Sequence, residues 1–212
     1  MNAAGSAQTR VTNNTADDGF PAWSPFPTPE QMAAPIVAQA RQAMAAVTSF
    51  HFVLTQTGGG TPLMTGIETT GAEGDAVPPD LQALVSATIA GSPFNVQIAF
   101  RNGVNWMKDT IGGNWQEWPQ SAGFLGSFNP GTAINTLLAQ STGLQIIGAE
   151  TVDGVATHRV RGNVAASVLA TLTVGSNAAS GQVQVDMWIG QSDSRLRKVV
   201  TQGKVTSAEV EG

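Results

Sequence analysis

Beyond Phe50 the apolar residues recur mainly at every second position, the spacing of strands with one buried face. The clearest run is "QVQVDMWIGQSDSRLRKVV", residues 182–200. Val183, Val185, Met187 and Ile189 fall on one side of it, and Gln182, Gln184, Asp186 and Trp188 on the other. Gly190-Gln191-Ser192-Asp193-Ser194 supplies turn chemistry, so the segment predicts a hairpin. A second hairpin is predicted over "FNVQIAFRNGVNWMK", residues 94–108. There Val96, Ile98 and Phe100 alternate with Gln97, Ala99 and Arg101, and Asn102-Gly103 is a favoured two-residue turn. "LQIIGAETVDGVATHRVRGNV", residues 144–164, makes a third, turning at Asp153-Gly154. "FHFVLTQT" (50–57) and "LMTGIETTG" (63–71) read as strands around a "GGGTP" turn. "LQALVSATIAG" (81–91) fits either period, since Leu81, Leu84, Val85 and Ile89 also suit a helix. Val, Thr and Ile crowd its second half and Gly and Pro follow, which favours a strand.

Helical spacing is confined to three places. "TPEQMAAPIVAQARQAMAAVTS" has Thr28 at the cap position, Pro29 just inside, and Val37, Ala40, Met44 and Val47 on one stripe. Pro35 lies within it, so the helix is expected to kink or to begin there. "NPGTAINTLLAQS" opens a second helix with Asn129 as cap and Pro130 first. "VAASVLATLTV" is a short amphipathic third. About eight hairpin-connected strands with three helices set apart predict an α+β fold. Its expected form is a curved antiparallel sheet with helices packed on one face.

Residues 1–30 differ in texture, being rich in Asn, Thr, Ala and Pro and ending in "FPAWSPFPTPE". They read as a flexible tether, or alternatively as an arm packed through Phe20, Trp23 and Phe26; residues 31–212 read as a single domain. Composition narrows the function classes. Charged residues are only 12% of the chain, against roughly 25% in soluble domains generally. No run of about 18 apolar residues is present to span a bilayer as a helix. The net charge of −5 and the lack of a Lys/Arg cluster argue against nucleic acid as a partner. With no cysteine, disulfides, thiolate metal sites and thiol nucleophiles are excluded. The start "MNAAGSAQTR" lacks the apolar stretch of a signal peptide.

Candidate chemistry is sparse. The two histidines, His51 and His158, lie in strand patterns and read as surface or structural residues rather than bases or ligands. Glu117 between Trp115 and Trp118 has the setting of a sugar-cleaving acid, but one carboxylate is not a pair. "GGG" at 58–60 has neither the helix nor the lysine of a phosphate loop, and no hydrolase or metalloprotease motif occurs. Neither a metal nor a cofactor is expected, and an enzyme is the poorer reading.

The order of the parts resembles the LppX/LprA/LprF/LprG family of envelope lipoproteins. The resemblance spans about residues 33–207 and rests on several phrases: "SFHFVLTQTG", "RNGVNWMK…GNWQEWP", "FNPGTAINTLLAQ" before "IIGAETVDGVATHRVRGNV", and "VQVDMWIGQSDSRLRKVV". It implies a half-open β-barrel with helices on the concave face, similar to the LolA and LolB carriers. It further implies an apolar cavity for acyl lipids or glycolipids, and a lipid anchor on the outer face of the cytoplasmic membrane. The lipobox cysteine of the pattern is absent, so the anchor is expected outside this chain. The ending "TQGKVTSAEVEG" stops before the family's usual last strand, which is expected to be missing.

Under that resemblance Val96, Ile98, Phe100, Val183, Val185, Met187 and Ile189 would line the cavity, with Leu137, Leu138 and Leu169 from the helices. Without it these positions read equally well as ordinary core. The aromatic stretch carries two readings as well. Trp106, Trp115, Trp118 and Phe124 either pack in the core and rim or form a flap at the cavity mouth. Three functions therefore compete: a non-catalytic lipid carrier of the cell envelope, a protein-docking module without a ligand, and a hydrolase of unrecognised type.

Overall fold

The computed structural model describes residues 28–57, 61–64, 67–108, 113–117, 130–170, 177–178, 180–203 and 206–207. Residues 1–27 of the predicted tether, the "GGG" turn, Asn129, Trp118 and Phe124 lie outside them.

Helix α1 (Pro29–Ala45) starts where its cap predicts. The Thr28 side chain accepts from the Gln31 backbone N–H while the Gln31 side chain accepts from the Thr28 N–H, a closed capping box. Of the two expectations for Pro35, a beginning there is excluded, since the helix runs through it. The capping box and Pro29 secure the turn before Pro35, so the missing proline donor removes one bond from a helix already started. Ala33, Val37 and Ala40 are its buried stripe.

Strands β1 (Phe50–Thr55), β2 (Thr61–Met64), β3 (Ile67–Val77), β4 (Asp80–Ile89), β5 (Ser92–Arg101), β6 (Val104–Lys108) and β7 (Trp115–Glu117) form one antiparallel sheet. Its order is β1-β3-β4-β5-β6-β7, with β2 also on β3. The ambiguous segment at 81–91 is strand β4. Strand β3 runs on to Val77, well past the predicted end at residue 71. Gly71, Gly74 and the charged Glu73 and Asp75 mask it locally, and pairing with β1 and β4 on either side holds it extended. Asn102 and Gly103 both adopt positive φ, as the two-residue turn requires, and so do Ala90 and Gly91 between β4 and β5.

Helix α2 (Pro130–Gln140) then leads into β8 (Thr142–Val152) and β9 (Val155–Ala165). Helix α3 (Ala166–Ala170) follows, beginning two residues into the predicted amphipathic segment because Val164 and Ala165 still pair with β11; residues 171–174 of that segment lie outside the described residues. After β10 (Asn177–Ala178) come β11 (Gln182–Gly190), β12 (Leu196–Gln202) and β13 (Thr206–Ser207). These make a four-stranded antiparallel sheet, β12-β11-β9-β8, and a two-stranded pair, β10-β13. The α+β class is as predicted, but among the described residues the strands divide between two main sheets instead of one. The helices pack on the four-stranded sheet: α1 against β8, β11 and α2, and α2 against β9 and α3.

Candidate functional site

Two apolar clusters result, one for each sheet. On the seven-stranded sheet, register aligns residues in rows across the strands. Phe50, Ala76, Leu81 and Phe100 make one row; Phe52, Gly74, Ala83 and Ile98 the next; Leu54, Ala72, Val85 and Val96 a third. In these rows large side chains stand on β1 and β5, and small ones occupy much of β3 and β4 between them. The phenylalanine rings of 50 and 52 are tilted against each other with centroids 6.3 Å apart. Neighbouring strands come close at the centre of the sheet. A Cβ on Gly74 would lie 2.7 Å from Ala83 Cβ and collide with the Gln82 carbonyl, and one on Gly71 would lie 2.6 Å from the Leu54 carbonyl. Glycine permits this close approach. Ile98 and Val85 are fully buried, while Phe50, Phe52, Leu54, Val96 and Phe100 are half-buried around them.

A buried amide shares this face. Asn105 on β6 pairs directly with Phe100 and is only 3% exposed, yet among the described residues its side-chain oxygen has no hydrogen-bond partner. The periodicity at 94–108 marked the strands but not the burial of Asn105.

The opposite face of the same sheet mixes charged and polar side chains with the exposed Val53 and Leu84. His51 stands between two acids, its Nδ1 2.9 Å from Asp75 and its Nε2 3.4 Å from Glu73. The hydrogen bond to Asp75 is the main cause holding the His51 pKa above its ordinary 6.5. A concavity of about 650 Å³ lies here, lined by His51, Asp75, Asp80, Gln82, Gln97 and Arg101 among others. Trp106 and Trp115 belong to this side too. Trp106 pairs with Ala99 and Glu117, and Trp115 with Lys108, whereas Ile98 and Phe100 face the other way.

On the four-stranded sheet Val183, Val185, Met187 and Ile189 are all fully buried, as their alternation predicts. They join α1 through Ala33, Val37 and Ala40, α2 through Leu137 and Leu138, and α3 through Leu169 in a single cluster. The structure thus brings Val183, Val185, Met187, Ile189, Leu137, Leu138 and Leu169 together. Val96, Ile98 and Phe100 belong to the other cluster. His158 pairs with Ile189 at the end of the helix-covered face.

The back of this sheet holds an ion network that the sequence pattern alone did not reveal. Asp186 is buried, although its alternation reads as solvent-facing. Arg159 donates to its Oδ2 at 2.6 Å and Arg161 to its Oδ1 at 2.7 Å. Trp188 lies beneath Arg159 and Lys198, each 4.9 Å from its ring centroid, and its indole N–H donates to Glu150 at 2.9 Å. That bond, followed by one from Arg159, lowers the Glu150 pKa.

The fold and its two apolar faces describe an α+β protein of antiparallel sheets with helices on one of them. The chain belongs to the LppX_LprAFG lipoprotein family, whose profile matches residues 32–212. The crystal structure of LprF from Mycobacterium bovis superposes with a TM-score of 0.66 at 18% identity, covering 84% of this chain and 89% of that one. The crystal structure of the Mycobacterium tuberculosis lipoprotein LppX gives 0.54 at 21% identity, covering 85% and 98%. At these identities the likeness shows a shared fold. No curated protein sequence matches the chain.

Proposed function

We propose that this chain is a non-catalytic carrier of acyl lipids or glycolipids in the bacterial cell envelope. The observation that carries the reading is the half-buried apolar face of the seven-stranded sheet. Phe50, Phe52, Leu54, Val96 and Phe100 stand half-buried around a floor of Ala72, Gly74, Ala76 and Ala83. Among the described residues this cluster is built from strand residues, while the helices gather on the other sheet. A trough with tall aromatic sides and a low floor suits a flexible hydrocarbon chain, because burial is non-directional and needs only shape and apolar area. About a dozen methylenes would gain roughly 10 kcal/mol gross, much of it offset by chain ordering and by extraction from a membrane.

In this reading the sheet and the helix-covered core together form a half-open barrel, with the lipid between Ile98 and the helix residues Leu137, Leu138 and Leu169. The segment before the α1 cap tethers the domain through a lipid anchor to the outer face of the cytoplasmic membrane. Family membership and the shared fold of LprF and LppX support this arrangement.

The test is solvent extraction of the purified protein and mass spectrometry, on the parent and on Ile98→Trp. Co-purified lipid in the parent, lost in Ile98→Trp with an unchanged melting temperature, is the expected result. An empty parent, with a sharply lowered melt in the variant, would mean that this face is closed core. It would leave a protein-docking module in place of a carrier.

A further inference from the structure

Resting on the carrier reading, we propose that Asn105 is the polar contact of the lipid site. Its side-chain carbonyl accepts a hydrogen bond from a hydroxyl on the bound lipid, so that the site favours lipids bearing a free hydroxyl over fully esterified ones. Two independent observations meet at this residue. It extends the row of Phe50, Ala76, Leu81 and Phe100, and so sits at the border of the apolar trough, two positions from the Asn102-Gly103 turn. Its side-chain oxygen is also buried, without a partner among the described residues.

Buried carboxamide oxygens are normally satisfied, and one left alone on an apolar face calls for a donor. An acyl chain offers none. An ester offers only acceptors, which would face the Asn105 oxygen unfavourably. A hydroxyl donates, and its remaining lone pairs can still meet the amide N–H groups. An acylglycerol or glycolipid carrying a free hydroxyl meets both demands of the site: hydrocarbon along the trough and a donor at its border. A site built around such a bond discriminates against ligands that lack it, because the protein group is then left unpaired.

The probes are 1,2-dioleoylglycerol and its 3-acetyl ester, which share acyl chains and differ in the hydroxyl. Each competes against the fluorescent fatty acid cis-parinaric acid bound to the full chain. The parent is expected to bind the free alcohol about tenfold more tightly, the worth of one hydrogen bond. Asn105→Leu should bind the two equally, holding the ester more tightly than the parent does because the unpaired oxygen is gone, and should keep a cooperative melt. Asn105→Ala is measured in parallel, so that the loss of preference is read in a variant that folds. Equal binding by the parent, or a preference that survives in either folded variant, overturns the role of Asn105 while leaving the carrier reading intact. A parent that takes up neither lipid nor the probe overturns both.

Discussion

The carboxylate of Asp186 on β11 lies buried beneath Arg161 of the adjacent strand β9, with Arg161 Nε donating to its Oδ1 at 2.7 Å. Arg159, two residues along β9, adds two bonds to Oδ2. These contacts outweigh the desolvation of a carboxylate that is 4% exposed and lower its pKa to about 2, with Arg161 the largest cause. A folded pKa below the unfolded value near 3.8 stabilises the protein above pH 4. That stability is lost as the pH falls through about 2. The shift corresponds to about 2 kcal/mol. Asp186→Asn should cost about 1–3 kcal/mol at pH 7, since it takes the paired carboxylate from Arg161 and leaves Arg159 with Glu150 alone. Urea unfolding at steps between pH 7 and 2 should show the parent and variant converging at the acid end. Parallel curves would mean that Asp186 does not carry this pH dependence.

Trp188 is 4% exposed although it stands on the sheet face away from the helices. The stacked Arg159 and Lys198 provide the cover, and Glu150 satisfies the indole N–H. Trp188→Phe keeps a ring but removes the donor and weakens the cation contact, at an expected cost of about 1–2 kcal/mol. A double-mutant cycle with Glu150→Gln should return a coupling of about 0.5–1.5 kcal/mol. Strict additivity would show that the indole–carboxylate bond contributes nothing.

His51 should titrate above 6.5 in an NMR pH series, with Asp75→Asn bringing it down toward that value. The sign follows from the raised pKa. The charged imidazole favours the fold below pH 6.5, and that contribution disappears as the pH rises through the elevated value. Because His51 and both acids are largely exposed, added salt should lower the pKa too. A titration unmoved by both Asp75→Asn and salt would remove the ion pairs from the account.

The close approach of β3 and β4 in the seven-stranded sheet depends on Gly74. Gly74→Ala places a methyl against the backbone of β4, beside Gln82 and Ala83, and should cost about 1–3 kcal/mol by overpacking. Gly148→Ala on β8 is the matched control, since its Cβ would meet open space. A change within about 0.5 kcal/mol is expected there. Equal unfolding midpoints for the two variants would show that the close approach at Gly74 relaxes without cost.

Signals that act over two to four residues were legible in the sequence. The alternation of Val183, Val185, Met187 and Ile189 determined the buried face of β11. The turns at Asn102-Gly103 and Asp153-Gly154 determined two hairpins, because their backbone must visit the left-handed region. Thr28 and Pro29 determined where α1 starts. Periodicity assigns side chains to one face or the other, but it does not say what that face meets. Tertiary structure decided that β11 faces the helices while Val96, Ile98 and Phe100 belong to a separate cluster. It decided that Trp106 and Trp115 stand on the side away from Phe100, since cross-strand register sets that relation. It also decided that Asp186, polar in pattern, is buried beneath arginines 25 and 27 residues away. Such contacts depend on which strands pair, and in what register, through hydrogen bonds between distant segments that no short stretch of sequence encodes.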